Sequence, residues 1–221
     1  MANEPSPRLT LCLAMDLKKS TTAGLKLTTK KLDRFNLALV NQLRPHLHAV
    51  GLDKALIKFT GDGWLIMSDE PDDAAPLCCL AVIMATLFHS EISAEAALAP
   101  ESIPALRLAV CWGRDLPVEL PDGQRDFVGD SVRHAARACQ LCHDNEVLID
   151  DTVQRWIHHD FVTAKVFVES RLHEFPDAKM EEELVLHTLA ELKVESGTDS
   201  DAPEYFVNTL AIIGRGNFNH I

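Results

Sequence analysis

The 221-residue sequence is poor in positive charge: 21 Lys and Arg stand against 33 Asp and Glu, for a net charge of −12. A nucleic-acid polymer is therefore not expected as partner, because such binding relies on clustered Lys and Arg facing phosphate. Aromatic residues make up only 6%, with a single Tyr, and Trp64, Trp112 and Trp156 are expected as core or interface anchors rather than base-stacking platforms. The longest uncharged apolar run, Ala74 to Phe88, has 15 residues. A bilayer needs roughly 20, so a buried helix and no membrane partner are expected, with Pro76 in the first turn where a helix accepts it. The N-terminus, MANEPSPRLT, shows no basic stretch followed by an apolar one, so no secretory signal is expected and a cytoplasmic location is. Neither a GxxxxGK(S/T) loop nor an HExxH helix occurs, and no internal repeat is visible.

What is present is ordinary globular composition: 47% hydrophobic and 24% charged residues, enough to bury roughly 70% of the unfolded surface in one domain. The acidity is uneven. Residues 174 to 204 carry ten acids and two bases, so the rest of the chain is only four charges below neutral. Solvated surface is the default expectation for that segment. The six cysteines mostly stand in apolar stretches, as reduced thiols do in a core. Cys139, Cys142 and His143 match a CxxCH haem-attachment pattern, but that chemistry needs export and one CxxC is too few ligands for a closed zinc site. Helix packing is the expected role. His159-Asp160 lacks the further His of a metal phosphohydrolase, and His158 and His159 are expected at a helix end.

Leu9 to Met15 is an apolar run stopping at Asp16, as in a buried central strand, followed by the hydroxyl-rich KKSTTAG. Leu32, Phe35, Leu39, Leu43 and Leu47 recur at three and four, predicting a long helix from Thr28, interrupted near Pro45 and ended by Gly51. Ala55–Phe59 and Trp64–Met67 flank Thr60-Gly61-Asp62-Gly63, a hairpin signal. After the apolar helix, Ala105 to Trp112 reads as a strand left at Gly113, and residues 117–123 as a turn-rich excursion. Gly129 to Cys142 has Val132, Ala135, Ala136 and Cys139 at helical spacing. Glu146–Ile149 is a short strand, and Asp150 can cap a helix ending near His158. Val162–Val168 and Leu184–Leu189 suggest a late hairpin. The first six elements give an α+β, ferredoxin-like βαββαβ core. The strand after the first helix is expected beside the opening strand, bringing Asp16 towards Asp62.

Two carboxylates at one sheet edge, beside a Lys/Ser/Thr loop, suit a pair of hard divalent cations that activate an attacking oxygen and steady a leaving phosphate. Asp is also common in loops and turns, so the pattern by itself leaves a capping residue and a plain turn residue open.

LCLAMDLKKST, KFTGDGWLIM, LRLAVCWG and DFVGDSVRHAARACQL, in that order and spacing, resemble the catalytic domain of class III nucleotidyl cyclases over about residues 8 to 155. The resemblance implies that Asp16 and Asp62 hold two divalent cations per site, Mn²⁺ or Mg²⁺. It implies cyclisation of a nucleoside triphosphate to a 3′,5′-cyclic monophosphate with release of pyrophosphate, Arg137 neutralising charge on the α-phosphoryl oxygens. It implies a head-to-tail homodimer with the active sites at the interface, each uniting metals on one protomer with Arg137 of the other. Lys58 and Asp126 fall where adenine-selective members carry Lys and Asp. Donor and acceptor logic leaves adenine, cytosine and uracil all open to that pair. Backbone N–H groups after Asp16, up to Ser20 and Thr21, would cradle the triphosphate.

The sequence also departs from the family. Arg133 stands where the family has the ribose-positioning Asn, changing substrate placement or removing activity, and a second long Arg would fill volume that a purine needs. His173-Glu174 replaces Lys-Gly in the triphosphate-binding segment, leaving Arg171 or His173 as substitutes. A free-standing domain altered in this way resembles the pyrimidine cyclases of bacterial anti-phage systems. The expectation is a cyclase domain over 1–193, a polar linker and tail over 194–221, and UTP before CTP as substrate. The alternatives are an adenylate cyclase and a catalytically degenerate module that binds nucleotide or dimerises.

Overall fold

A computed structural model of the chain describes residues 6–20, 27–157, 161–172, 181–192 and 204–217. Strand β1 (Arg8–Leu17) sets the frame, because its side chains alternate between two cores. Leu11, Leu13, Met15 and Leu17 enter the larger core, whereas Cys12 and Ala14 enter a smaller one on the opposite face. The larger core lies under helices α1 (Thr29–Ala49) and α2 (Ala74–Ala96), the smaller under α3 (Asp130–Leu141).

Around β1 the sheet runs β2 (Leu56–Phe59), β3 (Gly63–Ser68), β1, β4 (Leu106–Glu119), β6 (Val147–Asp150), β8 (Glu181–Leu192) and β7 (Phe161–Leu172), with β5 (Arg125–Gly129) paired to β4 alone. The expected βαββαβ core and late hairpin are both present. One pairing differs: β3, not β2, lies against β1, and β2 is left at the sheet edge. In a tight hairpin only one strand can take the inner place, and Trp64, Ile66 and Met67 of β3 are the residues buried on the sheet's two faces.

Three local expectations are corrected. Helix α1 runs through Pro45 without a break, and His46 and Leu47 beyond it remain packed in the core. The missing Pro45 N–H removes a single hydrogen bond, which burial of the apolar stripe offsets. The apolar helix extends to Ala96, well past Phe88. By length and composition, residues 71–96 could cross a membrane, yet Leu77, Leu80, Ile83, Met84 and Phe88 lie in the larger core. Lastly, β4 does not end at Gly113 but continues to Glu119 and turns back as β5. Pro117 is tolerated there because, among the described residues, β4 has only β5 beside it at that level. Counting from the Leu120 N–H to Gln124 bond, the ring nitrogen of Pro117 faces away from β5.

Helix α5 (Glu204–Asn217), within the stretch expected as linker and tail, packs on the larger core through Tyr205 and Ile212. Asn208 donates from its amide to the carbonyl of Ala49 at 2.8 Å. None of the six cysteines is in a disulfide, and all are buried. Cys139 and Cys142 donate their thiols to the carbonyls of Arg107 and Leu108 at 3.2 and 3.0 Å, and burial pushes the Cys142 thiol up to about 12. The CxxC pair thus fastens α3 to β4.

Candidate active site

Asp16 closes β1 on the face of Cys12 and Ala14, directly opposite Gly63 on β3 and Arg107 on β4. Gly63 has to lack a side chain, since a Cβ there would lie 1.9 Å from the carbonyl oxygen of Met15. That close approach draws the Thr60–Gly63 turn onto the end of β1. The N–H of Leu17 donates to the carbonyl of Asp62 at 3.1 Å, and the Ser20 hydroxyl donates to the Asp62 carboxylate at 2.6 Å. Lys19, at φ 59°, makes the sharp bend between them. Asp16, Asp62 and Ser20, separated by up to 46 positions, therefore share one end of the sheet.

The Asp16 carboxylate accepts a hydrogen bond from the Arg107 guanidinium. The N–H groups of Leu17 and Lys18 are committed to the carbonyls of Asp62 and Ala105. Of the N–H groups expected to cradle an anion between Asp16 and Thr21, these two are therefore already bonded within the fold. Thr21 lies outside the described residues.

Lys58 on β2 and Asp126 on β5 meet although 68 residues apart, the ammonium donating to the carboxylate at 2.5 Å. The Asp126 side chain is 8% exposed and its second oxygen accepts the Phe127 N–H at 2.9 Å, so the acid is fixed while Lys58, 50% exposed, stays reachable. The curl of the β4–β5 hairpin over the smaller core makes this meeting possible, with Phe127 as its buried anchor.

Helix α3 carries the two arginines. Its stripe of Ser131, Ala135, Ala138 and Cys139 is buried; Ala138 takes the place expected for Ala136, which is exposed. At 100° per residue, Arg133 and Arg137 fall on the side opposite that stripe. Arg133 is exposed and pairs with Asp130 one turn back at 2.7 Å, and Arg137 is half-buried. Both point away from the sheet face that holds Asp16. The helix start is held by Asp115, whose carboxylate accepts the N–H of Ser131 at 3.0 Å and its hydroxyl. Gly113 permits the contact, because a Cβ would come within 2.2 Å of the Ser131 nitrogen.

Arg107 and Asp115 are absent from the sequence-based candidates. Arg107 carried a signal, as the one charged residue in the expected strand Ala105–Trp112 and of the same parity as Ala109 and Cys111. Asp115 carried none, because it lies past Gly113, where that strand was expected to end. Burial pushes the Asp115 carboxyl above the usual carboxylate range. A carboxyl raised in the folded state contributes stability that is present below its unfolded value and lost as pH rises through the folded one. Asp115→Asn is therefore expected to flatten the stability profile just above the ordinary carboxylate range while keeping an acceptor for Ser131. Asp115→Ala, which orphans that N–H, should cost about 2 kcal/mol in urea unfolding at neutral pH.

Of the other candidates, Arg171 lies on β7 with its side chain outside the described residues. His158, His159, Asp160, His173 and Glu174 lie outside them altogether. Trp64 is buried in the larger core, and Trp112 meets Trp156 edge to face at 6.0 Å. Asp150 caps helix α4 (Asp151–Ile157), accepting the N–H groups of Thr152 and Val153.

This architecture matches the class III cyclase fold of solved adenylyl and guanylyl cyclase domains. Among solved structures, the adenylyl cyclase CyaB from P. aeruginosa superposes with a TM-score of 0.72 at 14% identity, over 88% of this chain and 100% of that one. The guanylate cyclase domain of RhGC from Catenaria anguillulae, in complex with GTP, gives 0.68 at 16%, over 84% and 98%. The catalytic core of a rhodopsin-guanylyl cyclase with converted specificity, in complex with ATPαS, gives 0.68 at 18%, over 85% and 98%. No protein-family profile matches the sequence, and no curated protein matches it.

Proposed function

We propose that the protein is a metal-dependent nucleotidyl cyclase that works as a homodimer, converting a nucleoside triphosphate to its 3′,5′-cyclic monophosphate and pyrophosphate. The observation that carries it is the convergence of Asp16 and Asp62 at one sheet end. These oxygen donors fit hard divalent cations, and Asp16 already draws a cationic group to itself. Asp16 and Asp62 would hold two Mg²⁺ or Mn²⁺ ions, which supply Lewis acidity for the attacking 3′-oxygen and the leaving pyrophosphate.

The chain's own residues divide the remaining work. Lys58 donates to the base and Asp126 accepts from it, so their pairing holds the base pocket in shape before substrate enters. Arg137 counters charge growing on the α-phosphoryl oxygens as the 3′-oxygen attacks in line. The side of α3 that carries Arg137 faces away from the chain's own Asp16, so a complete site needs the α3 of a second copy. Arg133, exposed and one turn before Arg137, would border the ribose and base where the resemblance puts an Asn, its greater length leaving less room for a purine. Ser20 lies beside Asp62, where the triphosphate would pass.

A pyrimidine triphosphate is the proposed substrate, UTP before CTP, supported by the volume Arg133 takes and by the resemblance to cyclases that make a messenger in anti-phage defence. ATP is the second candidate, supported by the preformed Lys58–Asp126 pair. Incubation of the purified protein with each of the four ribonucleoside triphosphates, with Mn²⁺ and with Mg²⁺, followed by mass spectrometry, is expected to yield cyclic UMP as main product. Cyclic AMP as main product would overturn the pyrimidine assignment. No cyclic product from any triphosphate would leave a nucleotide-binding or dimerising module in place of an enzyme.

A further inference from the structure

The two carboxylates of the site are not equivalent in this structure. Asp62 accepts from a neutral hydroxyl, that of Ser20, which a metal ion displaces at little electrostatic cost. Asp16 is engaged by a full positive charge. Arg107 stands directly opposite it in the β1–β4 ladder, with side-chain exposures of 19% for Arg107 and 34% for Asp16. The neighbours of the same parity on the two strands are Ala14, Ala109 and Cys111, none of which carries a charge. The guanidinium Nε is buried with no hydrogen-bond partner among the described residues. Asp16 is thus the anion that balances this partly buried cation.

We propose that Arg107 is a positioning residue: the built-in counter-ion of Asp16, which holds that carboxylate in place and competes with a metal ion for it. The inference rests on the assignment of Asp16 as a metal ligand. A divalent cation approaching Asp16 meets a guanidinium already on the carboxylate. To bind there it has either to displace the guanidinium or to take the second oxygen of a carboxylate whose charge is already shared, and in both cases it meets a positive neighbour on the adjacent strand. Both effects lower metal affinity, and neither acts on Asp62 to the same degree.

The test is Mn²⁺ binding to the nucleotide-free full-length protein, read from the electron paramagnetic resonance signal of free Mn²⁺ and independent of turnover. Arg107→Ala is expected to tighten Mn²⁺ binding about tenfold, the scale on which a close opposite charge biases a carboxylate. Arg107→Gln, which keeps a donor for Asp16 without the charge, should tighten it as well, and it carries the comparison if the Ala variant does not fold. Arg107→Lys should stay near wild type. Lys18→Ala removes an equal charge from a residue paired to Asp144 rather than Asp16, and should change affinity far less. Adding Asp16→Ala to Arg107→Ala should abolish the gain.

If wild type binds Mn²⁺ through Asp16 and neither uncharged variant binds it more tightly, the counter-ion role is overturned and the metal site stands. An equal gain in Lys18→Ala would overturn it too, leaving only a general field effect. If Asp16→Ala binds Mn²⁺ as wild type does, the metal assignment itself fails.

Discussion

Asp62→Ala is expected to lower cyclase turnover by about a thousandfold or more if Asp62 holds metal as proposed, since losing such a ligand forfeits several kcal/mol of transition-state stabilisation. The fold should barely register the change. Among the described residues the Asp62 side chain accepts one hydrogen bond, from Ser20, while the contact that ties the turn to β1 is made by its backbone carbonyl and survives truncation. One lost hydrogen bond costs about 1 kcal/mol, which moves the thermal midpoint of a domain this size by roughly 2–4 °C. Turnover and midpoint measured on the same preparation separate the two roles. A variant with full activity would remove Asp62 from the site. A variant that unfolds ten or more degrees early would make it a structural turn residue instead.

The second large effect is gained rather than lost. Asp16→Ala and Arg137→Ala proteins should each be inactive, yet mixed and allowed to exchange subunits they should recover activity. Each heterodimer carries one site with both defects and one with neither. Statistical exchange makes half of the dimers mixed, so about a quarter of wild-type activity is expected under closed two-fold assembly. The physical basis is the helix phase. Ser131, Ala135, Ala138 and Cys139 seal α3 to its own sheet, which leaves Arg137 on the far side from its own Asp16. Heterodimers demonstrated by tag pull-down but lacking activity would mean that each site is built within one chain. The exchange also bears on Arg133, whose substitution by Asn in the same mixing scheme would show whether it acts from the same side as Arg137.

Much of the architecture could be read directly from the letters. The run Leu9–Met15, the Gly-Asp-Gly turn and the spacing of apolar residues in α1 are local patterns, and local backbone preference and side-chain period decide them. Placement within the hairpin was harder. Which of β2 and β3 lies inside depends on burial of Trp64, Ile66 and Met67 against β1 and the helices, a property of the assembled sheet. Pro45 and Pro117 misled for one reason. A proline's local penalty is fixed, but whether its missing N–H matters depends on neighbours far away in sequence. The true buried stripe of α3 turned on Ala138 rather than Ala136 two positions earlier, a choice of helix face that small residues on both sides cannot reveal.

The scarcity of basic residues takes on a sharper meaning here. With few cations available, their individual placement governs the site: Lys58 on Asp126, Arg107 on Asp16, Arg133 on Asp130, and Arg137 turned outward on α3. By itself the sequence determined the element order, the carboxylates that end β1 and form the β2–β3 turn, and the arginines one helical turn apart, because each is written in residues close along the chain. Only the tertiary structure decided which charges meet. The Asp16–Arg107 pair spans 91 residues and the Lys58–Asp126 pair 68. Contacts at that separation are set by strand register and by the curl of a hairpin, which no local pattern encodes.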